Sequence, residues 1–164
     1  MARVSPLIVA GSACAMLLIA TVAKPTTVLV WNASPSVPIG LYVVERHRPS
    51  RGEIAALKLR GKASSMADAR QYLPAKAVLL KPVVAIDGDT VCRYGAHVFV
   101  NGRLRAKALA RDKLLRPMPS WTGCRKLHSG QVFVLSARKD SFDSRYFGPV
   151  DSGDVLGTAA PMFW

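Results

Sequence analysis

Short runs of apolar and β-branched residues, separated by turn signals, recur along most of the chain. Such runs predict β-strands. We place strands at Leu41–Val44, Glu53–Leu59, Val78–Ile86, Thr90–Cys92, His97–Val100, Gln131–Leu135 and Val155–Ala159. Asn101-Gly102 after the fifth run is a strong hairpin signal. The pattern therefore predicts a mainly β domain of partly closed sheets.

Two stretches depart from the strand pattern. Ala63–Tyr72 contains helix-forming residues and no breaker, which predicts a short helix that ends before Pro74. Arg103–Pro119 is basic and shows no regular alternation, so we expect an irregular surface segment there.

The chain opens with an apolar segment, Leu7–Ala23, of 17 residues without a charge. A membrane-spanning helix needs roughly 17–25 residues. One interpretation is a signal peptide cleaved near Ala23, and the other is an uncleaved anchor. The apolar character resumes at Val28 and leads to Trp31, a residue type that suits a membrane interface, so we favour the anchor. We expect residues 1–27 to form the anchor or signal segment and residues 28–164 one exported domain.

Composition narrows the classes of partner. The chain has 164 residues, half of them hydrophobic, and carries a net charge of +13. This length and hydrophobic content indicate one folded domain and argue against disorder. A strongly basic protein suits an anionic membrane surface or nucleic acid. Because Lys and Arg are scattered from Arg46 to Arg145 and form no single run, we expect membrane lipid as a partner and no nucleic acid.

Two cysteines lie in the part expected to be exported, Cys92 and Cys124. In an oxidising compartment they would most simply form a disulfide. The alternative is a tetrahedral zinc site formed by both cysteines with His97 and His128. Export favours the disulfide, so we expect neither a metal nor another cofactor.

Ser36 and Lys81 are the candidate catalytic pair. Ser36 lies in a turn with Pro38 and Gly40, which can hold its hydroxyl at a fixed angle. On the predicted strand, the same-face neighbours of Lys81 are Leu79 and Val83. An apolar environment lowers the pKa of a lysine, which can then act as a general base. The structural alternatives are a loop serine and a lysine that extends to water.

Three motifs in order resemble the signal peptidase superfamily with a Ser-Lys dyad. They are Ser36-x-Pro38-x-Gly40, Lys81 before Val83-Val84-Ala85-x-x-Gly88-Asp89-Thr90-Val91, and Ser141-x-Asp143-Ser144-Arg145-Tyr146-Phe147-Gly148. More narrowly, the chain resembles the TraF-type conjugative-transfer peptidases. The features of that subgroup are Asn32 four residues before Ser36, the two cysteines, and Trp121-x-Gly123-Cys124-Arg125.

The resemblance implies a role for each matched position. Ser36 is the nucleophile and Lys81 its general base. The Ser34 hydroxyl and the Ser36 N–H form the oxyanion hole. Ser141 orients the lysine, and Asp143, held by Arg145, supports the site.

Pro82 departs from the family pattern, in which a basic residue often follows the lysine. Proline cannot donate to a strand ladder, so this strand should be an edge or locally unpaired. A substrate peptide could then add itself as an extended strand.

With the apolar N-terminal segment, the resemblance implies a membrane-anchored serine endopeptidase in the inner membrane, single-pass, with its domain in the periplasm. It would cut a precursor pilin or another exported preprotein after small residues, through an acyl-enzyme that water or an amine resolves. The amine would give a cyclic pilin. The alternatives are a general leader peptidase and a non-catalytic basic periplasmic component of a conjugation or secretion apparatus.

Overall fold

The computed structural model describes residues 28–73 and 77–163, which form ten strands and two short helices. The strands are β1 Val28–Asn32, β2 Gly40–Glu45, β3 Ile54–Leu57, β4 Leu79–Ala85, β5 Thr90–Tyr94, β6 His97–Val100, β7 Arg103–Lys107, β8 Gly123–Lys126, β9 Phe133–Val134 and β10 Val155–Pro161. Helix α1 is Gly61–Ala69, helix α2 is Ser144–Phe147, and Ser152–Asp154 is a 3₁₀ turn.

The strands form two antiparallel sheets. The larger sheet has six strands in the order β1-β2-β10-β3-β4-β9, and the smaller has four in the order β7-β6-β5-β8. The mainly β fold with a short helix is therefore confirmed. The predicted anchor at residues 1–27 lies outside the described residues. In the part that the structure describes, no helix is long and apolar enough to cross a membrane.

A shared core joins the two sheets. Val91, Val98 and Val100 of the smaller sheet pack with Ala85 and Phe133 of the larger one, and all five are buried. This packing follows from strand alternation, because every second residue of β5 and β6 faces inward. The junction fixes β4 and the chain after β9, which both contribute to the site described below.

The hairpin predicted at Asn101-Gly102 is present between β6 and β7. Both residues have positive φ, 49° and 76°, which is the conformation that a two-residue hairpin turn requires. The prediction that Arg103–Pro119 is irregular is wrong for its first part, since Arg103–Lys107 is the second strand of this hairpin. The strand is mostly exposed, so its sequence lacks an apolar alternation.

Other boundaries differ modestly from expectation. The predicted helix begins two residues earlier, at Gly61, and ends at Ala69, after which the chain turns. β1 and β8 are strands that the apolar pattern does not predict. The run Gln131–Leu135 contributes only the two residues of β9 to the ladder.

Candidate active site

The loop that carries Ser36 is held by one buried amide. Asn32, at the end of β1, donates through Nδ2 to the carbonyls of Ser34, Val37 and Pro38 at 2.8, 3.1 and 2.9 Å. The Tyr42 hydroxyl also donates to the Pro38 carbonyl, at 2.8 Å. The sequence does not predict this role of Asn32, because it depends on how the loop folds back over β1.

Lys81 lies on β4 with its side chain in the protein interior, as predicted from its apolar neighbours. The residue is only 2% exposed. Burial lowers the pKa of Lys81 from 10.5 to about 8, and the negative charge of Asp143 opposes part of this shift. A substantial fraction of the amine is therefore neutral at mildly alkaline pH.

Three side chains from distant parts of the sequence converge at this amine. Lys81 Nζ donates to Ser36 Oγ and, at 2.6 Å, to Ser141 Oγ. The two hydroxyl oxygens lie 3.3 Å apart. Ser36 and Lys81 are separated by 45 residues, and Lys81 and Ser141 by 60. A neutral lysine in this position can accept the Ser36 proton, and Ser141 limits where the amine can move.

Ser34 lines the same cavity as Ser36 and Lys81. Its hydroxyl and its N–H both donate to Asn32 Oδ1, each at 3.2 Å. To donate to an oxyanion, the hydroxyl would have to rotate away from Asn32 about χ1.

Asp143 and Arg145 form a buried ion pair. Their side chains are 0% and 3% exposed, and Arg145 Nε lies 2.7 Å from Asp143 Oδ1. Arg145 Nη2 donates to Asp143 Oδ2 at 2.9 Å, so the pair is bidentate. Asp143 also accepts the Arg145 N–H at the start of α2. The pair shapes the turn after Ser141.

Ser136 links this ion pair to the loop that carries Ser36. Its N–H donates to Asp143 Oδ2 at 3.0 Å, its carbonyl accepts from Arg145 Nη2 at 2.7 Å, and its hydroxyl donates to the Ser36 carbonyl at 3.0 Å. Because the hydroxyl contact joins segments 100 residues apart, no local sequence signal predicts it.

A buried arginine ties the smaller sheet to α2. Arg93 on β5 donates to the Arg145 carbonyl and, at 3.0 Å, to the Gly95 carbonyl. Burial lowers the pKa of Arg93. Trp121 Nε1 adds a hydrogen bond of 3.1 Å to the Ser144 carbonyl. These contacts fix α2, and through it Asp143, against the second sheet.

A cavity of about 310 Å³ opens beside Ser36, Lys81 and Ser141. This volume is at the lower end of the range of about 300–1,000 Å³ that is usual for ligand pockets. Its apolar walls come from several parts of the chain, including Leu79, Leu109, Leu114, Met118, Phe142 and Tyr146.

Cys92 and Cys124 form a disulfide between directly opposed residues of β5 and β8, which confirms the predicted pairing. A disulfide offers no thiolate to a metal, so the zinc alternative is wrong. Among the described residues, no group of three or more His, Cys, Asp and Glu could hold a metal ion. All three histidines, His47, His97 and His128, are exposed and lie outside the cavity beside Ser36.

The strand around Pro82 is not a sheet edge, because β4 lies between β3 and β9. However, β9 reaches only Val83 and Ala85 of β4, and the last contact on that side is the Leu135 N–H with the Pro82 carbonyl, at 3.1 Å. The sequence predicted that this strand is either a sheet edge or locally unpaired, and the described ladder supports the second alternative.

The sequence is similar to known proteins. A family model described as signal peptidase, peptidase S26, matches residues 1–164. The probable conjugal transfer protein TraF of Sinorhizobium fredii is 37% identical over 139 residues, which cover 78% of this chain and 73% of that protein. The plasmid transfer protein TraF of Escherichia coli is 30% identical over 146 residues, 80% of each chain.

Signal peptidases are also similar. The probable signal peptidase I-2 of Synechocystis is 30% identical over 119 residues, which cover 71% of this chain and 49% of that protein. The crystal structure of a signal peptidase I from Enterococcus faecalis aligns with a TM-score of 0.39 and 19% identity, over 68% of this chain and 97% of that one. The match to the family model confirms the resemblance drawn from the motifs, and the chain belongs to the signal peptidase family, peptidase S26.

Proposed function

We propose that the chain is a serine endopeptidase in which Ser36 is the nucleophile and Lys81 the general base. The observation that carries the proposal is the position of Lys81 Nζ, buried and hydrogen-bonded to both Ser36 Oγ and Ser141 Oγ. A buried amine that contacts two hydroxyls has no evident structural use, since an apolar residue would fill the space without the cost of burying a charge.

The reaction follows from this arrangement. Ser36 Oγ attacks the scissile carbonyl carbon while its proton passes to neutral Lys81. The C–N bond then breaks, Lys81 protonates the leaving amine, and an ester remains on Ser36. Water or an amine of the substrate attacks this ester next, and Ser36 regains its proton. Water gives a linear acid, and the amine gives a cyclic amide.

Hydrogen-bond donors must stabilise the negative charge that develops on the carbonyl oxygen of the substrate. We assign this role to the Ser36 N–H and to the Ser34 hydroxyl after it rotates away from Asn32. Loss of one donor of this kind costs about 10²–10³ in kcat. In the structure, the Ser34 hydroxyl donates to Asn32 Oδ1, so it is not left without a hydrogen-bond partner.

The substrate would add as a strand beside β4. Val83 directs its N–H and C=O toward β3, so by alternation Pro82 and Leu80 direct theirs to the opposite side. The described contacts with β9 end at Pro82. Leu80 is next to the catalytic Lys81, and its backbone could pair with an extended peptide there.

Membrane attachment fits the outer surface of the larger sheet. Trp31 is 67% exposed, and β1 places it opposite Leu41, whose carbonyl accepts the N–H of Met162. Leu29 lies on β1 and Phe163 lies two residues after β10, and both are exposed. We propose that residues 1–27 anchor the protein in the inner membrane, single-pass, and that the domain of residues 28–164 lies in the periplasm with this apolar surface at the lipid.

The family and the conjugal transfer names of the relatives support a proposal for the substrate class. We propose an exported precursor, a conjugative pilin, as the substrate. Mass spectrometry of the pilin from cells with wild-type protein, Ser36→Ala or Lys81→Ala tests this. Cells with either variant should accumulate unprocessed pilin precursor, although the variant peptidase is still produced and anchored in the membrane. A cyclic wild-type product would be lighter than the linear one by one water.

Two other outcomes separate the alternatives. If many unrelated preproteins accumulate in the variants together with the pilin, the protein is a general leader peptidase. If both variants process the pilin normally, the proposed Ser36–Lys81 chemistry is wrong. Salt-dependent DNA binding by the protein, with a steep slope, would then support a basic periplasmic component.

A further inference from the structure

A row of apolar residues crosses all four strands of the smaller sheet. Its members are paired across neighbouring strands: Cys124 of β8 with Cys92 of β5, Cys92 with Phe99 of β6, and Phe99 with Leu104 of β7. Directly opposed residues of an antiparallel pair project from the same face. Because the alternate residues of β5 and β6 pack into the core that joins the sheets, the row lies on the outer face.

The row is exposed, and an aromatic ring extends it. Leu104 and Tyr94 are each 58% exposed, and Phe99 and the disulfide are also partly exposed. The Tyr94 hydroxyl lies 3.0 Å from Cys124 Sγ, and the centroids of the Tyr94 and Phe99 rings are 6.2 Å apart. An outer sheet face is commonly polar, so a contiguous apolar patch there indicates an interaction surface. We call Cys92, Tyr94, Phe99, Leu104 and Cys124 the outer-sheet patch.

The charge around this patch has one sign. The four strands of the smaller sheet contain six Lys and Arg residues and no Asp or Glu. On one side of the row, Lys126 of β8 is paired with Thr90, and on the other side Lys107 of β7 is paired with His97. The two exposed lysines therefore lie on the outer face, at diagonally opposite corners of the patch.

The patch is also preformed. The disulfide joins β5 to β8, and the Asn101-Gly102 turn joins β6 to β7, so all four strands are cross-linked or directly connected. A rigid surface loses little conformational entropy when it binds a partner. Aromatic residues at the centre and polar or charged residues at the rim are also the usual composition of a protein–protein interface.

Charge and position together select the kind of partner. A second copy of this chain would bring like charges together, because a two-fold interface joins the same surface of both subunits. The surface proposed to face lipid includes β1, which lies at the opposite end of the six-strand order from β4 and β9, the strands that contact the smaller sheet. The cations surround an apolar centre and form no continuous track of the kind that a nucleic acid backbone follows.

We propose that the outer-sheet patch docks a second protein, whose surface presents apolar side chains surrounded by Asp and Glu. The apolar side chains of the partner cover the two aromatic rings and Leu104, and its carboxylates pair with Lys107 and Lys126. No residue of the patch lines the cavity beside Ser36. The inference is therefore independent of the proposed catalysis.

Photo-crosslinking of the full-length protein in the cells that naturally produce it tests this proposal. The photoreactive amino acid p-benzoylphenylalanine replaces Tyr94 or Leu104 in the patch. The control position is Leu156 on β10, which is also exposed but lies outside the smaller sheet. After irradiation, both patch positions should give an adduct with the same protein, and the control position should not. Mass spectrometry of the adduct should place the contact in a segment of the partner that is rich in Asp and Glu.

Charge reversal shows whether the adduct depends on electrostatic complementarity. Lys107→Glu/Lys126→Glu should lower the adduct yield at least about 10-fold, because like charges then face each other across the interface. Arg46→Glu/Lys62→Glu is the matched control, since it changes the net charge equally at exposed positions outside the smaller sheet, and it should leave the yield unchanged. Formation of the Cys92–Cys124 disulfide in each variant, measured by thiol labelling, shows that the smaller sheet is folded.

A reciprocal change in the partner completes the test. Substitution of Lys for the acidic residues of the identified segment should restore the adduct with the Lys107→Glu/Lys126→Glu protein. The proposal would be overturned by the absence of a protein adduct at both patch positions, or by a yield that charge reversal leaves unchanged. An adduct with lipid, with nucleic acid or with a second copy of this chain would overturn it as well.

Discussion

The Ser136 hydroxyl donates a hydrogen bond of 3.0 Å to the main-chain carbonyl of Ser36. The N–H of the same residue donates to Asp143 at 3.0 Å. Ser136 therefore connects a buried ion pair to the backbone of the candidate nucleophile. Its contact fixes the peptide plane after Ser36, while Lys81 contacts the side chain, so the two bonds together restrict the direction of the hydroxyl.

Ser136→Ala should lower kcat and leave KM nearly unchanged, because the residue positions Ser36 and lies outside the substrate cavity. A neutral hydrogen bond contributes about 0.5–1.5 kcal/mol, which corresponds to a roughly 2- to 10-fold decrease in rate. Ser136→Thr retains the hydroxyl and should restore most of the rate. Steady-state kinetics on a processed peptide measures both constants, with exposed Ser65→Ala as the control. Failure of the Thr variant to restore the rate, where the protein is folded, would argue against the positioning role.

The pH dependence of activity should report the pKa of Lys81, which burial lowers to about 8. Only the neutral amine can take the Ser36 proton. We therefore expect kcat/KM to rise about tenfold per pH unit below pH 8 and to level off above it. A profile that is flat from pH 6 to 9 would exclude Lys81 as the base.

Two exposed charges near Lys81 should move this profile in opposite directions. The negative charge of Asp140 raises the pKa of Lys81 and the positive charge of Arg138 lowers it. Asp140→Asn should therefore shift the profile to lower pH, and Arg138→Gln should shift it to higher pH. Both shifts should shrink in high salt, because the charges are partly exposed and screened. Shifts of the same sign in the two variants would contradict this electrostatic account.

Lys81→Met should abolish activity and yet stabilise the fold at pH 7. A pKa lowered from 10.5 to about 8 corresponds to a cost of about 3 kcal/mol for burying the charged amine. The variant also loses the hydrogen bonds of Lys81 to two serine hydroxyls, and each loss destabilises the fold by about 1 kcal/mol. The net stabilisation is therefore about 1 kcal/mol.

The gain should depend on pH with a defined sign. The unfolded chain keeps its lysine proton up to about pH 10.5, whereas the folded protein releases it near 8. Wild-type stability therefore rises between these values. Urea denaturation at pH 7 and pH 10 should show the advantage of Lys81→Met at pH 7 and its loss by pH 10. A variant that is less stable than wild type at pH 7 would show that burial of the amine costs little.

The strands that the sequence predicts are those with buried apolar residues. Strands β5 and β6 alternate because every second residue meets the core that joins the sheets, whereas β4 is a nearly continuous apolar run that is buried along most of its length. β7 is exposed along most of its length, and the Asn101-Gly102 turn sets its pairing with β6. The prediction of an irregular segment at Arg103–Pro119 rested on composition and did not take this turn into account. A hairpin signal should therefore outweigh the absence of alternation in the strand that follows it.

The candidate site also contains residues that the sequence identifies and residues that it does not. Ser36 and Lys81 can be singled out because their local signals, a rigid turn and apolar strand neighbours, coincide with the family motifs. Asn32 matches the subgroup pattern, but nothing local predicts what it does, and Ser136 carries no signal, since a polar residue at a strand end is usually solvated. Their roles arise from hydrogen bonds to backbone carbonyls that only the folded loop places within reach.

Arg145→Met should strongly destabilise the protein, because it leaves the fully buried carboxylate of Asp143 without its partner. Removal of one member of a buried pair typically costs about 3–5 kcal/mol. The double variant Asp143→Leu/Arg145→Met removes both charges and should lose less than the sum of the two single variants. Urea denaturation of all four proteins gives this coupling, with Arg138→Met as an exposed control. Additive losses would show that the two residues act independently.

The Cys92–Cys124 disulfide should contribute to stability without contributing to catalysis. It closes a loop with a sequence separation of 32 residues, for which the chain-entropy relation gives about 3–4 kcal/mol. The double variant Cys92→Ala/Cys124→Ala should lose about that much in urea denaturation. Dithiothreitol should lower the stability of wild type but leave the double variant unchanged. Neither cysteine lines the cavity beside Ser36, so the folded double variant should retain the wild-type kcat. A lower kcat in the folded double variant would instead indicate that the disulfide helps to position the turn that holds Asp143, through β5 and the contact of Arg93 with the Arg145 carbonyl.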